Sequence, residues 1–321
     1  YNQVKGYVSE GAQIVKELQL NENGEVTSGS MAVTKEAGIG NLVNPNLKQG
    51  DIKITDASLD VSTVKDFAGN DVRSVTVKTG ENGQLTIGKN TYTNVEKGGV
   101  FKLDENGQLK EAEFTSKGGQ YALGNQRLDV PNGAKIVYKN GEARVIAREG
   151  DVIQTSAKLE TGEYGQTSRR IAVLKDGDVN IAGNKVYGKN FEVDNRLIVN
   201  NGFVELEKDG IIIGEDTHAF AKDIGMAVST SQTSSVMFYN EGVKPCEEIC
   251  YPNYISTDGS KLTLQTKTVD GFGVSFAEGN KYTGKEFSYL TRGGSTIQLD
   301  KVGNEVRSII QTEKDGIVKL R

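Results

Sequence analysis

The sequence predicts an all-β fold: a repetitive β-solenoid of short strands, parallel β-helix-like, with an antiparallel hairpin meander as the alternative. Three observations carry this. Apolar and polar residues alternate in runs of about five, the period that sends successive side chains to opposite faces of a strand. Eleven Asn-Gly or Asp-Gly dipeptides punctuate those runs, and they supply the positive φ values of tight turns. No window of 98–154 holds the i, i+3, i+4, i+7 spacing of an amphipathic helix.

The stretch 98–154 shows the pattern most clearly. Phe101 and Leu103 lead into Asp104-Glu105-Asn106-Gly107, after which Leu109, Glu111 and Glu113 alternate with Lys110, Ala112 and Phe114. Ala134–Tyr138, Asn140-Gly141 and then Ala143, Val145 and Ala147 repeat it. Pro131 before Asn132-Gly133 marks another turn, because proline cannot donate to a ladder. Gly107, Gly133, Gly141, Gly202 and Gly210 are the turn positions on which this reading rests.

Towards the N-terminus, Gln3–Tyr7 and Ala12–Leu20 read as strands, and 38–45 reads as loop. From Asp51 the alternation sets in with Ile52, Ile54, Leu59, Val61, Val75 and Val77. The polar run 155–170 is a weak boundary within one elongated β-repeat domain over 1–321. Beyond it, strand centres near Val186, Val193, Ile198, Val204 and Ile212 recur at near-even spacing. Three such strands would make a coil of about 22 residues, a repeat length typical of solenoids. The even spacing favours the solenoid, while the Asn-Gly turns favour hairpins.

Composition narrows the function classes. Net charge is −5, with Lys and Arg interspersed among Asp and Glu, so there is no basic stripe for nucleic acid. No apolar run approaches the roughly 18–20 residues of a spanning helix. The chain opens on Tyr1 and not Met, so it reads as part of a longer one.

Residues 229–256 interrupt the rhythm as a loop insertion containing both cysteines. Loops on rigid scaffolds carry function, and Phe238, Tyr239, Tyr251 and Tyr254 make this the candidate binding surface. The competing reading has these aromatics covering a flank of the repeat. Cys246 and Cys250 lie between Pro245 and Pro252, as a small disulfide-closed loop or as two free thiols. A disulfide would place the chain in an oxidising, extracytoplasmic setting. A zinc site would have to recruit His218, the one histidine, plus carboxylates, so neither metal nor cofactor is expected.

Catalytic signals are sparse. His218 with Asp216 two residues away is the one histidine-based pairing on offer. Asp104-x-Asn106-Gly107 resembles a calcium loop but lacks its position-6 Gly and matching Glu, so a turn is the better reading. Asp56 with Asp60, or Glu205 with Glu207, would share a strand face as carboxylate pairs.

The segment Phe101-Lys-Leu-Asp-Glu-Asn-Gly-Gln-Leu109 resembles the D-x-x-G-x-L unit of YD/RHS-type repeats, with Leu103 where that family has Tyr. The resemblance implies a hairpin-rich shell. In texture the chain is similar to the repetitive β-solenoid proteins of microbial cell surfaces, adhesin-like proteins among them. That similarity implies a non-enzymatic structural or adhesive role at the cell surface, with a surface glycan or protein as partner. The alternatives are a polysaccharide-active β-helix hydrolase or lyase, and an RHS-like shell fragment.

Overall fold

The computed structural model describes residues 14–24, 26–165, 169–195, 197–207, 210–214 and 217–221, and beyond these the backbone of short strands up to 320. The described chain is all-β apart from two short helical turns, and every strand pair with a defined register is antiparallel. This antiparallel pairing is consistent with the meander alternative. The parallel stacking of a β-helix is not how the described strands pair. The physical reason is turn chemistry: a two-residue Asn-Gly loop reverses the chain. Hairpins of five-residue strands also reproduce the spacing of a coil, so spacing could not separate the two.

The chain divides into two compact units, one of residues 1–168 with 180–183, the other of 169–179 with 184–321. In the first unit, β1 (Ile14–Leu20), β2 (Val26–Val33) and β3 (Ala37–Gly38) precede the four-residue helix α1 (Gly40–Val43). Then come β4 (Ile52–Lys65), β5 (Asp71–Ile87), β6 (Asn90–Tyr92), β7 (Val100–Leu103), β8 (Leu109–Leu123), β9 (Gln126–Lys139), β10 (Glu142–Ala147) and β11 (Val152–Ala157). α1 lies where a loop was expected. Its Leu42 and Val43 are buried along with Ile39, and Arg73 Nη1 donates to Leu42 O at 2.9 Å, satisfying a carbonyl the short helix leaves open.

The long strands are each used twice. Residues 75–78 of β5 pair with β7, while 85–87 pair with β6. In β9, 135–139 pair with β10, and 126–129 pair with β11. One ladder therefore runs β1, β2, β4, β5, β7, β8, β9, β10, and the far halves of the same long strands build a second. A strand can serve both only by bending, and bulges supply the bends. In β4 the register shifts between Thr55 and Ala57, with Gly80–Gly83 opposite. Buried positions are Ile52 and Ile54 before the bulge and Ala57, Leu59 and Val61 after it. The irregularity at Asp56 thus changes the phase of β4 and keeps apolar side chains inward on both its halves.

Tyr92, Phe101, Phe114 and Tyr121 fill the centre of this unit as a continuous row, with ring centroids 5.5, 5.2 and 4.8 Å apart in turn. Each contact contributes about 0.5–1.5 kcal/mol beyond burial alone. At the neighbouring bend, Ser116 Oγ and the Tyr121 hydroxyl lie 2.9 Å apart, the Tyr121 hydroxyl donates to Asn94 O, and Ser116 Oγ accepts from Gly118 N.

In the second unit, β12 (Arg169–Val173), the first half of β13 (Gly177–Ala182), β14 (Lys185–Gly188), β15 (Phe191–Val193), β16 (Leu197–Asn201), β17 (Phe203–Glu207), β18 (Gly210–Ile213), β19 (His218–Ala221) and β20 (Met226–Thr230) follow. Successive hairpins again alternate between ladders. One runs β12, β15, β16, β19, β20 and continues through 262–268, 271–275, 296–299 and 305–309. The other runs β14, β17, β18.

The Asn-Gly dipeptides serve two purposes. Asn140-Gly141 joins β9 to β10 as a two-residue loop with φ of 52° and 77°, the mirror-image turn that matches strand twist. Asn82-Gly83, Asn132-Gly133 and Asn201-Gly202 sit at bends or crossings between ladders. A Cβ at Gly141 would meet open space, whereas one at Gly202 would lie 2.6 Å from Thr217 Cα. Gly141→Ala is therefore expected to cost about 1–2 kcal/mol of left-handed strain. Gly202→Ala adds overpacking of roughly 1–3 kcal/mol. Urea-denaturation midpoints check this, and equal shifts for the two variants would show that the Gly202 crossing relaxes freely.

Candidate functional site

The aromatic and cysteine positions singled out in the sequence fall largely outside the described residues. Phe238, Tyr239, Cys246, Cys250 and Tyr251 lie there, as does Asp216. Tyr254 is described through its backbone, which pairs with Met237 at the end of a four-residue ladder, Ser234–Met237 against Tyr254–Thr257. The ends of the insertion thus meet as a hairpin stem. His218 opens β19, opposite Ser229 of β20 and Asn201 of β16.

Gly107, Gly133, Gly141 and Gly202 have φ of 79°, 92°, 77° and 110°, and Gly210 starts β18 opposite Glu207.

Asp56 sits at the irregularity of β4 at φ 43°, out of step with Asp60, and its carboxylate accepts from Asn82 N at 2.9 Å. Glu205 and Glu207 stay two residues apart along β17, with Glu205 opposite Lys185 and Ile212 in the neighbouring strands. Asp104 is a turn residue: its Oδ1 accepts from Asn106 N and Gln108 N, both at 2.9 Å. Further aspartates do the same work. Asp51 accepts from Lys48 N, Asp66 from Asn70 N, Asp151 from Arg148 N and Asp194 from Arg170 N, at 2.8–2.9 Å. Asp194 also receives Arg169 Nη1 at 2.8 Å in a largely buried pair. Among the described residues no group of three or more His, Cys, Asp or Glu is placed to hold a metal ion.

Sequence reasoning missed the densest polar-aromatic group in the described chain. Around the Gly124 turn of the first unit, the Tyr92 hydroxyl donates to Ala122 O and the Tyr164 hydroxyl to Gly124 O. The Arg127 guanidinium lies 5.5 Å from the Tyr164 ring centroid. A Cβ on Gly124 would come within 2.5 Å of the Tyr138 hydroxyl, so glycine leaves that hydroxyl its room. The signal was available: Tyr92, Tyr138 and Tyr164 flank strand ends. Nothing in the spacing, however, says that three hydroxyls converge.

Burial raises all three phenols, and Tyr121 with them. For Tyr92 desolvation is the main cause, reinforced by Tyr164 and Tyr138, and for Tyr164 the nearby Arg127 acts in the opposite direction. They are therefore protonated donors at neutral pH and serve the backbone rather than acting as bases. The sign for stability follows. Raised folded values mean that stability is complete below the ordinary phenol value of about 10 and falls as pH climbs beyond it. In an alkaline titration followed by phenolate absorbance, at least these four of the twelve tyrosines are expected to ionise late, together with loss of native circular dichroism. Ionisation of all tyrosines near the ordinary value in a still-folded chain would contradict their burial.

No protein-family model matches the chain, and no curated protein or solved structure matches it.

Proposed function

We propose that this chain is a non-enzymatic structural or adhesin-like β-repeat segment of the extracellular or cell-surface kind, meeting a surface glycan or protein through Phe238, Tyr239, Tyr251 and Tyr254 of the 229–256 insertion. One observation carries the reading. Six aspartates of the described chain, Asp51, Asp56, Asp66, Asp104, Asp151 and Asp194, spend carboxylate oxygens on backbone N–H groups of turns and bends. A hydrolytic pair needs carboxylates aimed at a substrate, and these are committed to the main chain.

A second reading, the RHS-like shell fragment, has its own support. Asp104-x-x-Gly107 closes the β7–β8 hairpin with Gly107 N donating to Asp104 O and Asp104 N to Gln108 O. Hairpins of that geometry are what the resemblance implies. The two readings share a scaffold role and part over whether the segment folds alone.

The test pairs chemistry with stability. Asparagine keeps the turn acceptor, so Asp56→Asn and Asp104→Asn are expected to shift the denaturation midpoint by less than about 1 kcal/mol equivalent. Incubation with a panel of acidic and neutral polysaccharides is expected to release no oligosaccharide detectable by mass spectrometry. Released product that vanishes in one acidic-to-amide variant would overturn the scaffold reading in favour of a polysaccharide-active enzyme. Aggregation of the isolated chain would favour the shell fragment.

A further inference from the structure

We infer that Asn132, at the bend of β9, is a site of spontaneous backbone modification, with Arg148 promoting the reaction. In an Asn-Gly dipeptide the glycine nitrogen can lose its proton and attack the asparagine side-chain carbonyl carbon. A new N–C bond closes a five-membered succinimide, and the side-chain nitrogen leaves as ammonia after taking up a proton. Water then opens the ring. Opening at the side-chain carbonyl gives aspartate, and opening at the backbone carbonyl gives isoaspartate, which carries the main chain through the side-chain carbon. One ammonia leaves and one water enters, with no oxidant or enzyme.

The chain has six Asn-Gly dipeptides, and their surroundings differ. Gly107 N donates to Asp104 O and Gly24 N to Asn21 O, which holds both nitrogens in their turns. At Asn82-Gly83 the Asp56 carboxylate is bonded to Asn82 N, and Gly83 is packed so closely that a Cβ would lie 2.5 Å from Thr79 Cβ. A negative charge beside the peptide disfavours an anionic nucleophile. At Asn140-Gly141 both residues are fixed in the hairpin turn, and Gly141 O accepts from Gln126 Nε2.

Asn132-Gly133 is the opposite case. Both residues are exposed, so water reaches them. Gly133 has φ 92° at a register shift, between the Lys117–Asn132 and Thr115–Lys135 pairs. Arg148 Nη2 donates to Asn132 O at 3.1 Å. It lies so close over Gly133 that a Cβ there would be 2.5 Å from it. That carbonyl belongs to the same amide as the Gly133 nitrogen. A cationic donor on it draws electrons from the nitrogen and eases loss of its proton. The same guanidinium stands beside the negative charge that develops as the ring closes, the arrangement that stabilises a tetrahedral oxyanion. The aspartate product would place a carboxylate beside Arg148, and the isoaspartate product would lengthen the backbone at the bend shared by both ladders.

The test is peptide mapping by mass spectrometry of the intact folded chain aged at mildly alkaline pH, with isoaspartate labelled by an isoaspartyl methyltransferase. Asn132 is expected to convert several-fold faster than Asn82, Asn106 and Asn140. That ranking should be lost in urea, where only the flanking residues distinguish one Asn-Gly from another. Arg148→Gln should slow conversion at Asn132 several-fold and leave Asn106 unchanged, and Arg148→Lys should retain part of the rate. Conversion at Asn132 no faster than at Asn106 in the folded chain would overturn the inference. An unchanged rate in folded Arg148→Gln would overturn the role of Arg148. Should that variant not fold, the wild-type ranking in buffer against urea still decides the matter.

Discussion

Asp56 holds a bend on which the packing of the first unit depends. At φ 43° it shifts the alternation of β4 by one position opposite the longer run Gly80–Gly83 of β5, and its carboxylate bonds Asn82 N on the facing strand. Through that bend β4 and β5 serve two hydrogen-bonded ladders at once. A straight fourteen-residue strand would send the apolar residues of one half of β4 to the wrong side. The bulge resets the phase, so that Ile54 and Leu59 are both buried. At the next bend, Ser116 and Tyr121 take the part that Asp56 plays here, with hydroxyls in place of a carboxylate.

The turns follow a compact rule. At 66–69, 104–107 and 159–162 the glycine N–H donates to the carbonyl three residues earlier, and in each case the residue that opens the turn donates to the carbonyl four residues on. A glycine at positive φ closes each, as expected for a type I turn ending in a glycine bulge. The first residue is aspartate in two of the three, because its side chain can also accept from the turn's own backbone. Six of the described aspartates accept from backbone N–H groups at turns and bends in this way. Cross-strand pairs such as Lys135 with Glu113 and Lys102 with Glu111 are half exposed, so they contribute little to stability and keep the outer face wet.

The buried polar groups show a second economy. Gln126 is fully buried, yet its Nε2 donates to Gly141 O and its Oε1 accepts from Gly183 N. One side chain satisfies two turns distant in sequence, where an apolar replacement would leave both unpaired. Tyr92 and Tyr164 near Gly124 work in the same way, their hydroxyls donating to Ala122 O and Gly124 O.

The amino-acid sequence by itself determined that the described chain would be predominantly β, with many of its turns marked by glycine. Those properties follow from period-two alternation and from glycine at positive φ, both local. Strand partners were decided only in the tertiary structure. An Asn-Gly pair reads identically whether it reverses the chain, as at 140–141, or bends it, as at 132–133, because the difference lies in which strand comes alongside. The helix at Gly40–Val43 was illegible for the same reason: it rests on Arg73 and on burial of Leu42 and Val43, not on propensity. The convergence of Tyr92, Tyr138 and Tyr164, and the placement of Arg148 over Asn132, likewise join residues far apart in sequence. Only the folded ladders bring them together.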